Sequence, residues 1–147
     1  MLWCIFSVLV SPSASNKYTT ADYLDSLDYI ICSQITEPTT EYCEKLYDHL
    51  DKYCDVLQSL LEQLRRKDSE AGEAIANYWA LGKPKFTQKY DAQVLDKLKK
   101  TLRESNEDVE LFDRKIGKVK ILWDEFKEEC MKNKHFCDPT GVLFQSK

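Results

Sequence analysis

The sequence predicts an all-α fold, a disulfide-stapled helical bundle of four to five helices. Three observations predict it. Two long segments carry apolar residues in alternating steps of three and four, the spacing of a helix face and not of a strand. The chain has only four glycines and four prolines among 147 residues, too few turn formers for a sandwich of many short strands. Six cysteines stand at positions 4, 32, 43, 54, 130 and 137, as suits a small chain held by disulfides.

The first segment reads as a leader. Leu2 to Val10 is apolar and too short to span a bilayer, which takes about 20 residues. Ser11-Pro12-Ser13-Ala14-Ser15 follows, with small side chains suited to signal cleavage. A buried strand or helix would not normally end in such a run. Residues 1–15 are therefore expected to be a secretory signal peptide, and residues 16–147 a single secreted helical domain. The usual basic residues before the apolar run are missing.

The first helix is expected from Thr20 to Gln34, capped by Thr19 or Thr20, with Asp22 in its first turn. Tyr23, Leu24, Leu27, Ile30 and Ile31 follow the helical period, and Pro38 forces a break. The second helix begins at Thr39 or Thr40. Its seam is Cys43, Leu46, Leu50, Tyr53, Leu57, Leu60 and Leu64, widened by Tyr42, Tyr47, Cys54 and Leu61. It ends near Arg65-Arg66-Lys67, where cations suit the helix dipole. Glu70 to Leu81 is a shorter helix capped by Asp68 or Ser69, or else a continuation of the second. Gly82 and Pro84 stop it.

A third long segment, Asp91 to Glu104, places Val94, Leu95, Leu98 and Leu102 on one face. The last helix is expected to start at Ser105 or Asn106, with Asp108 in capping-box-like spacing. Val109, Phe112, Ile116, Val119, Trp123, Phe126 and Cys130 form its seam, flanked by Leu111 and Leu122. Gly117 falls mid-helix, at a cost of about 1 kcal/mol against alanine, which suggests a close helix crossing. Cys137, Asp138-Pro139 and Gly141 mark a loop, from which Val142, Leu143 and Phe144 can pack back on the core. The seams also suit a coiled-coil homodimer, but the flanking apolar residues favour a globular bundle.

Charge excludes some functions. Residues 16–64 carry a net −7 and residues 65–147 a net +3, for −4 over the whole chain. That is not the strongly basic balance of a nucleic-acid binder. No later segment is apolar enough for a membrane span. His49 and His135 have no metal-ligand spacing, and no CxxC pair occurs. No nucleophile elbow, phosphate loop or dinucleotide fingerprint is present. The acidic run Asp124, Glu125, Glu128 and Glu129 reads as a solvated face. The expectation is no enzyme, no metal and no cofactor.

Five cysteines remain after the leader, so two intrachain disulfides leave one thiol over. Cys43 and Cys54 lie about 16 Å apart along one helix and cannot bond to each other. If the second and last helices are antiparallel, Cys54 faces Cys130 and Cys43 faces Cys137, leaving Cys32 unpaired. Alternatively Cys32 bonds Cys43 and Cys54 ties to the C-terminal segment. The spacing is compatible with both.

The segment Tyr78-Trp79-Ala80-Leu81-Gly82-Lys83-Pro84-Lys85-Phe86 surrounds a helix end with aromatics and lysines. Tyr78, Trp79, Leu81, Lys83, Lys85 and Phe86 have the composition of a protein-binding hot spot. The competing reading is that Tyr78 and Trp79 cap the core.

A leader, an acidic helical first half, Cys32 and Cys43 around a proline break, Cys54, and a late Cys130/Cys137 pair give a layout across the mature chain. This layout resembles the anophensin/albicin group of salivary proteins of blood-feeding mosquitoes. The resemblance implies a secreted inhibitor that binds a host plasma protein, in the alternative complement pathway or in contact activation and bradykinin release. The alternative is a secreted helical carrier of small hydrophobic ligands, akin to insect odorant-binding proteins. Carriers of that kind typically have three residues between their second and third cysteines. Here the gaps hold ten, ten, seventy-five and six residues.

Overall fold

The computed structural model describes residues 19–138. The expected leader, with Cys4, and the apolar tail residues Val142, Leu143 and Phe144 lie outside that range. Among the described residues there are six α-helices and no strand: α1 (Thr20–Thr36), α2 (Cys43–Arg65), α3 (Gly72–Leu81), α4 (Ala92–Glu104), α5 (Val109–Lys132) and α6 (Lys134–Cys137). Short 3-10 turns at Thr40–Tyr42, Ser69–Ala71 and Lys85–Thr87 join them.

Local chemistry sets the helix ends. Thr19 and Asp22 form a reciprocal capping box at α1. Asp91 caps α4 through the Val94 N–H. Asp108, and not Ser105 or Asn106, caps α5, accepting from the N–H groups of Glu110 and Leu111. Asn106 instead takes the left-handed conformation, φ 64°, that ends α4. Lys67 at φ 54° breaks the chain after α2, and Asp68 caps the following turn, so α3 is separate from α2. Gly82 at φ 86° closes α3 in a conformation that disfavours side chains. The tail adds a turn of helix, α6, where the sequence reads as loop.

The core is built on the two long seams. Every expected seam position of α2 is buried, as are Phe112, Val119, Trp123, Phe126 and Cys130 of α5. Full burial of a leucine contributes about 1.5–3 kcal/mol, so the leucines of α2 alone dominate this interface. Tyr78, Phe126, Trp123 and Trp79 form a stack of aromatic contacts between α3 and α5, with ring centroids 5.1–6.3 Å apart.

Helices α2 and α5 are parallel. Tyr47 donates to the Asp108 carbonyl at 2.6 Å near the start of both helices. Lys115 pairs with Asp51 further along, and Arg65 meets Glu129 at 3.7 Å near both ends. The chain climbs α2, descends through α3, the Lys85–Thr87 turn and α4, and climbs again in α5. The antiparallel arrangement invoked for a Cys54–Cys130 and Cys43–Cys137 pairing is therefore absent. Cys54 sits at the level of Lys115 and Lys118, about 18 Å along α5 from Cys130.

Candidate functional site

The aromatic part of the Tyr78–Phe86 segment belongs to the core. Tyr78 and Phe86 are each 1 % exposed and Trp79 is 5 % exposed. Phe86 sets its ring edge-to-face on Tyr53 at 5.0 Å, and the Tyr53 and Tyr78 hydroxyls hydrogen-bond to each other. Leu81, Lys83 and Lys85 remain exposed. The core-capping reading of Tyr78 and Trp79 holds, and a hot spot anchored on Trp79 and Phe86 does not. The physical reason is that α3 runs back along α1 and α5, so its aromatic face meets apolar side chains and not solvent.

What holds this segment in place is a residue the sequence reading passed over. Asp28 is buried on the inner face of α1. Its carboxylate accepts the backbone N–H groups of Lys85 at 2.9 Å and Phe86 at 3.0 Å. The signal was present: Asp28 stands between Leu24 and Ile31 in the helical period, an acid on an apolar stripe. A charge there needs a partner, and two N–H donors of the turn supply it.

Exposed apolar side chains gather at the α1–α2 hairpin. Tyr29 is 75 %, Tyr42 43 % and Ile30 38 % exposed. A groove of about 480 Å³ runs between Ile30, Ser33, Glu37, Tyr42, Lys45 and His49. Tyr29 lies one helical turn before Ser33, whose hydroxyl donates to the Tyr29 carbonyl at 3.1 Å. The Lys45 ammonium sits 5.9 Å from the Tyr42 ring centroid, within cation–π range. His49 Nδ1 lies 3.2 Å from the Gln34 side-chain oxygen. Burial, followed by the nearby Lys52, lowers the His49 pKa and favours the neutral ring. The sequence carried part of this signal. The helical period places Tyr42 and Ile30 at core positions, whereas the structure turns both toward solvent. The 3-10 turn before α2 rotates Tyr42 off the seam, and Ile30 falls beside the buried stripe of Leu24, Leu27 and Ile31.

The cysteines are all unbonded among the described residues. Cys32 is half-buried, 3.4 Å from the Tyr90 hydroxyl and 3.7 Å from the Asp28 carboxylate; burial is the main influence pushing its thiol up. Cys43 donates to the Thr39 carbonyl. The buried sulfurs of Cys130 and Cys137 lie 4.0 Å apart. The adjacent Cys137 thiol, with burial, pushes the Cys130 thiol up.

Among the described residues no cluster of histidine, cysteine and carboxylate side chains could hold a metal ion, and no helix is long and apolar enough to cross a membrane. No family model, curated protein sequence or solved structure matches the chain.

Proposed function

We propose that this chain is a secreted binding protein that inhibits a plasma proteolytic cascade by docking its α1–α2 hairpin on one protein component of that cascade. The observation that carries the docking face is a groove lined by the exposed Ile30 and Tyr42 and edged by Lys45, His49 and Glu37, with Tyr29, 75 % exposed, next to Ile30 on α1. Tyrosine-rich apolar patches with a polar rim are the composition of interface hot spots. The layout's resemblance to mosquito salivary inhibitors supports the target class, the alternative complement pathway or the contact and kallikrein–kinin system. Within the Tyr78–Phe86 segment the exposed side chains are those of Ala80, Leu81, Lys83 and Lys85. The reading takes residues 1–15 as a leader removed on export and places the mature chain where disulfides form.

The test uses the mature chain in plasma. Alternative-pathway lysis of erythrocytes and bradykinin release are measured with the wild type and with Tyr29→Ala and Tyr42→Ala. Inhibition of one cascade is expected. Each variant should weaken it by roughly thirtyfold, about 2 kcal/mol of hot-spot energy, with an unchanged melting temperature because both rings are exposed. No effect in either assay removes the target class. Inhibition that survives both substitutions removes the docking face.

A further inference from the structure

A second concavity lies away from the hairpin groove, between the 85–90 segment, α4 and α5. Half-buried Tyr90, Leu95 and Ile116 supply its accessible apolar lining, with the buried Phe86 and Phe112 beneath them, and Lys89 and Lys120 also line it. It encloses about 210 Å³, room for about seven waters at ~30 Å³ each. That is less than the roughly 300 Å³ at which pockets for drug-sized ligands begin, so it suits a molecule of one ring or one branched chain. Asp113 is the acid in the lining, and its carboxylate already meets the Lys99 ammonium at 3.4 Å. Among the described residues, neither Lys89 nor Lys120 forms an ion pair. The cleft therefore joins an apolar body to a surplus of positive charge.

Gly117 is an independent observation at the same place. It interrupts the middle of α5, where glycine is worse than alanine by its backbone freedom. A close helix crossing would explain it, but a Cβ at 117 would meet nothing within 4 Å. No neighbouring element requires the missing side chain. Gly117 does line the cleft, and a side chain there would enter open space.

We propose that this cleft binds a small organic acid, with an aromatic or branched apolar body against Tyr90, Leu95 and Ile116 and its carboxylate toward Lys89 and Lys120. Apolar contact supplies the affinity, and the two ammonium groups select the sign of the head group. The site is separate from the hairpin face, and either can fail without the other.

Titration calorimetry of the mature chain with 3-phenylpropanoate, 3-phenylpropanamide and 3-phenylpropylamine keeps the body constant and varies the charge. Amide NMR shifts locate the site. The acid should bind with a Kd on the order of 10 µM, at least tenfold tighter than the amide, and the amine should not bind. Shifts should centre on Phe112 and Ile116. Lys120→Gln and Lys89→Gln should each weaken the acid several-fold, and Gly117→Leu should abolish binding. Gly117→Ala guards against a folding defect, because it should raise the melting temperature while weakening the acid. No binding of the acid, equal binding of the amine, or acid affinity unchanged in Gly117→Ala and both lysine variants would overturn the proposal.

Discussion

Asp28 shows how much one side chain decides. Its carboxylate joins α1 to the Lys85–Thr87 turn, and that turn presents Phe86 to the core. Asp28→Ala would leave the buried Phe86 N–H without its acceptor and release the turn. Hydrogen bonds to a charged group are worth about 1.5–3 kcal/mol, and an orphaned buried donor adds to the loss. Urea unfolding should show Asp28→Ala destabilised by about 2–4 kcal/mol and Asp28→Asn by less, since the amide keeps one acceptor. A change within about 0.5 kcal/mol for alanine would show that the turn is held by Phe86 packing alone, with no contribution from the buried carboxylate. Tyr47 acts in a similar way on the pH dependence. Burial, followed by Glu107 and Asp108, pushes its pKa up to about 12 from the usual 10. The folded state then keeps a proton that the unfolded state releases. Stability from this group is complete below pH 10 and is lost as the pH rises toward 12. Between those values Tyr47→Phe should flatten the fall in stability followed by circular dichroism. An unchanged slope would assign the alkaline transition to other tyrosines, such as Tyr53 or Tyr90.

At the scale of elements, the parallel course of α2 and α5 governs cysteine chemistry. It separates Cys54 from Cys130, whereas the local break at Asn133 folds α6 back so that Cys137 meets Cys130. Sulfurs 4.0 Å apart need only modest side-chain rotation to reach the roughly 2.05 Å of a bond. Refolding in a glutathione buffer supplies the oxidant: glutathione disulfide takes the two electrons and protons as the Cys130–Cys137 bond forms. Peptide mapping without reduction should join Cys130 to Cys137. A map joining Cys54 to Cys130 would contradict the parallel register. Arg65–Glu129 and Lys115–Asp51 mark the same register, although exposed pairs of this kind contribute only about 0–1 kcal/mol. The register is held by the buried seams.

For the whole molecule, the consequence is self-sufficiency of the core. The seam of α2 is consumed within the chain by α5, α1 and α3, so among the described residues that stripe is not free for a coiled-coil partner. Light scattering after size exclusion should therefore give a monomer at micromolar concentration. A concentration-dependent dimer disrupted by Tyr29→Ala and Tyr42→Ala would instead place a second copy on the hairpin face. The charge asymmetry between the two halves of the chain does not create two separate bodies, because the acidic α2 packs along the length of α5, whose six acidic and six basic side chains balance.

The sequence by itself determined the helices. Their apolar periods, their caps at Thr19, Asp68 and Asp91, and the stop at Gly82 depend on residues within a turn of one another. Most seam positions were legible for the same reason. The start of α5 was misplaced because Ser105, Asn106 and Asp108 are all capping residue types, and only the backbone at Asn106 selects among them. Tertiary structure alone decided direction and exposure. A three-four stripe reads the same whether its partner runs parallel or antiparallel, so the α2–α5 register, and with it every cysteine distance, waited on the path of the intervening chain. Composition likewise could not separate Tyr78, Trp79 and Phe86 from Tyr29 and Tyr42. All are large aromatics near helix ends or stripe edges. The first three are buried because α3 and the Asp28-held turn fold them against α1, α2 and α5, and the other two face solvent because, among the described residues, no element returns to cover them.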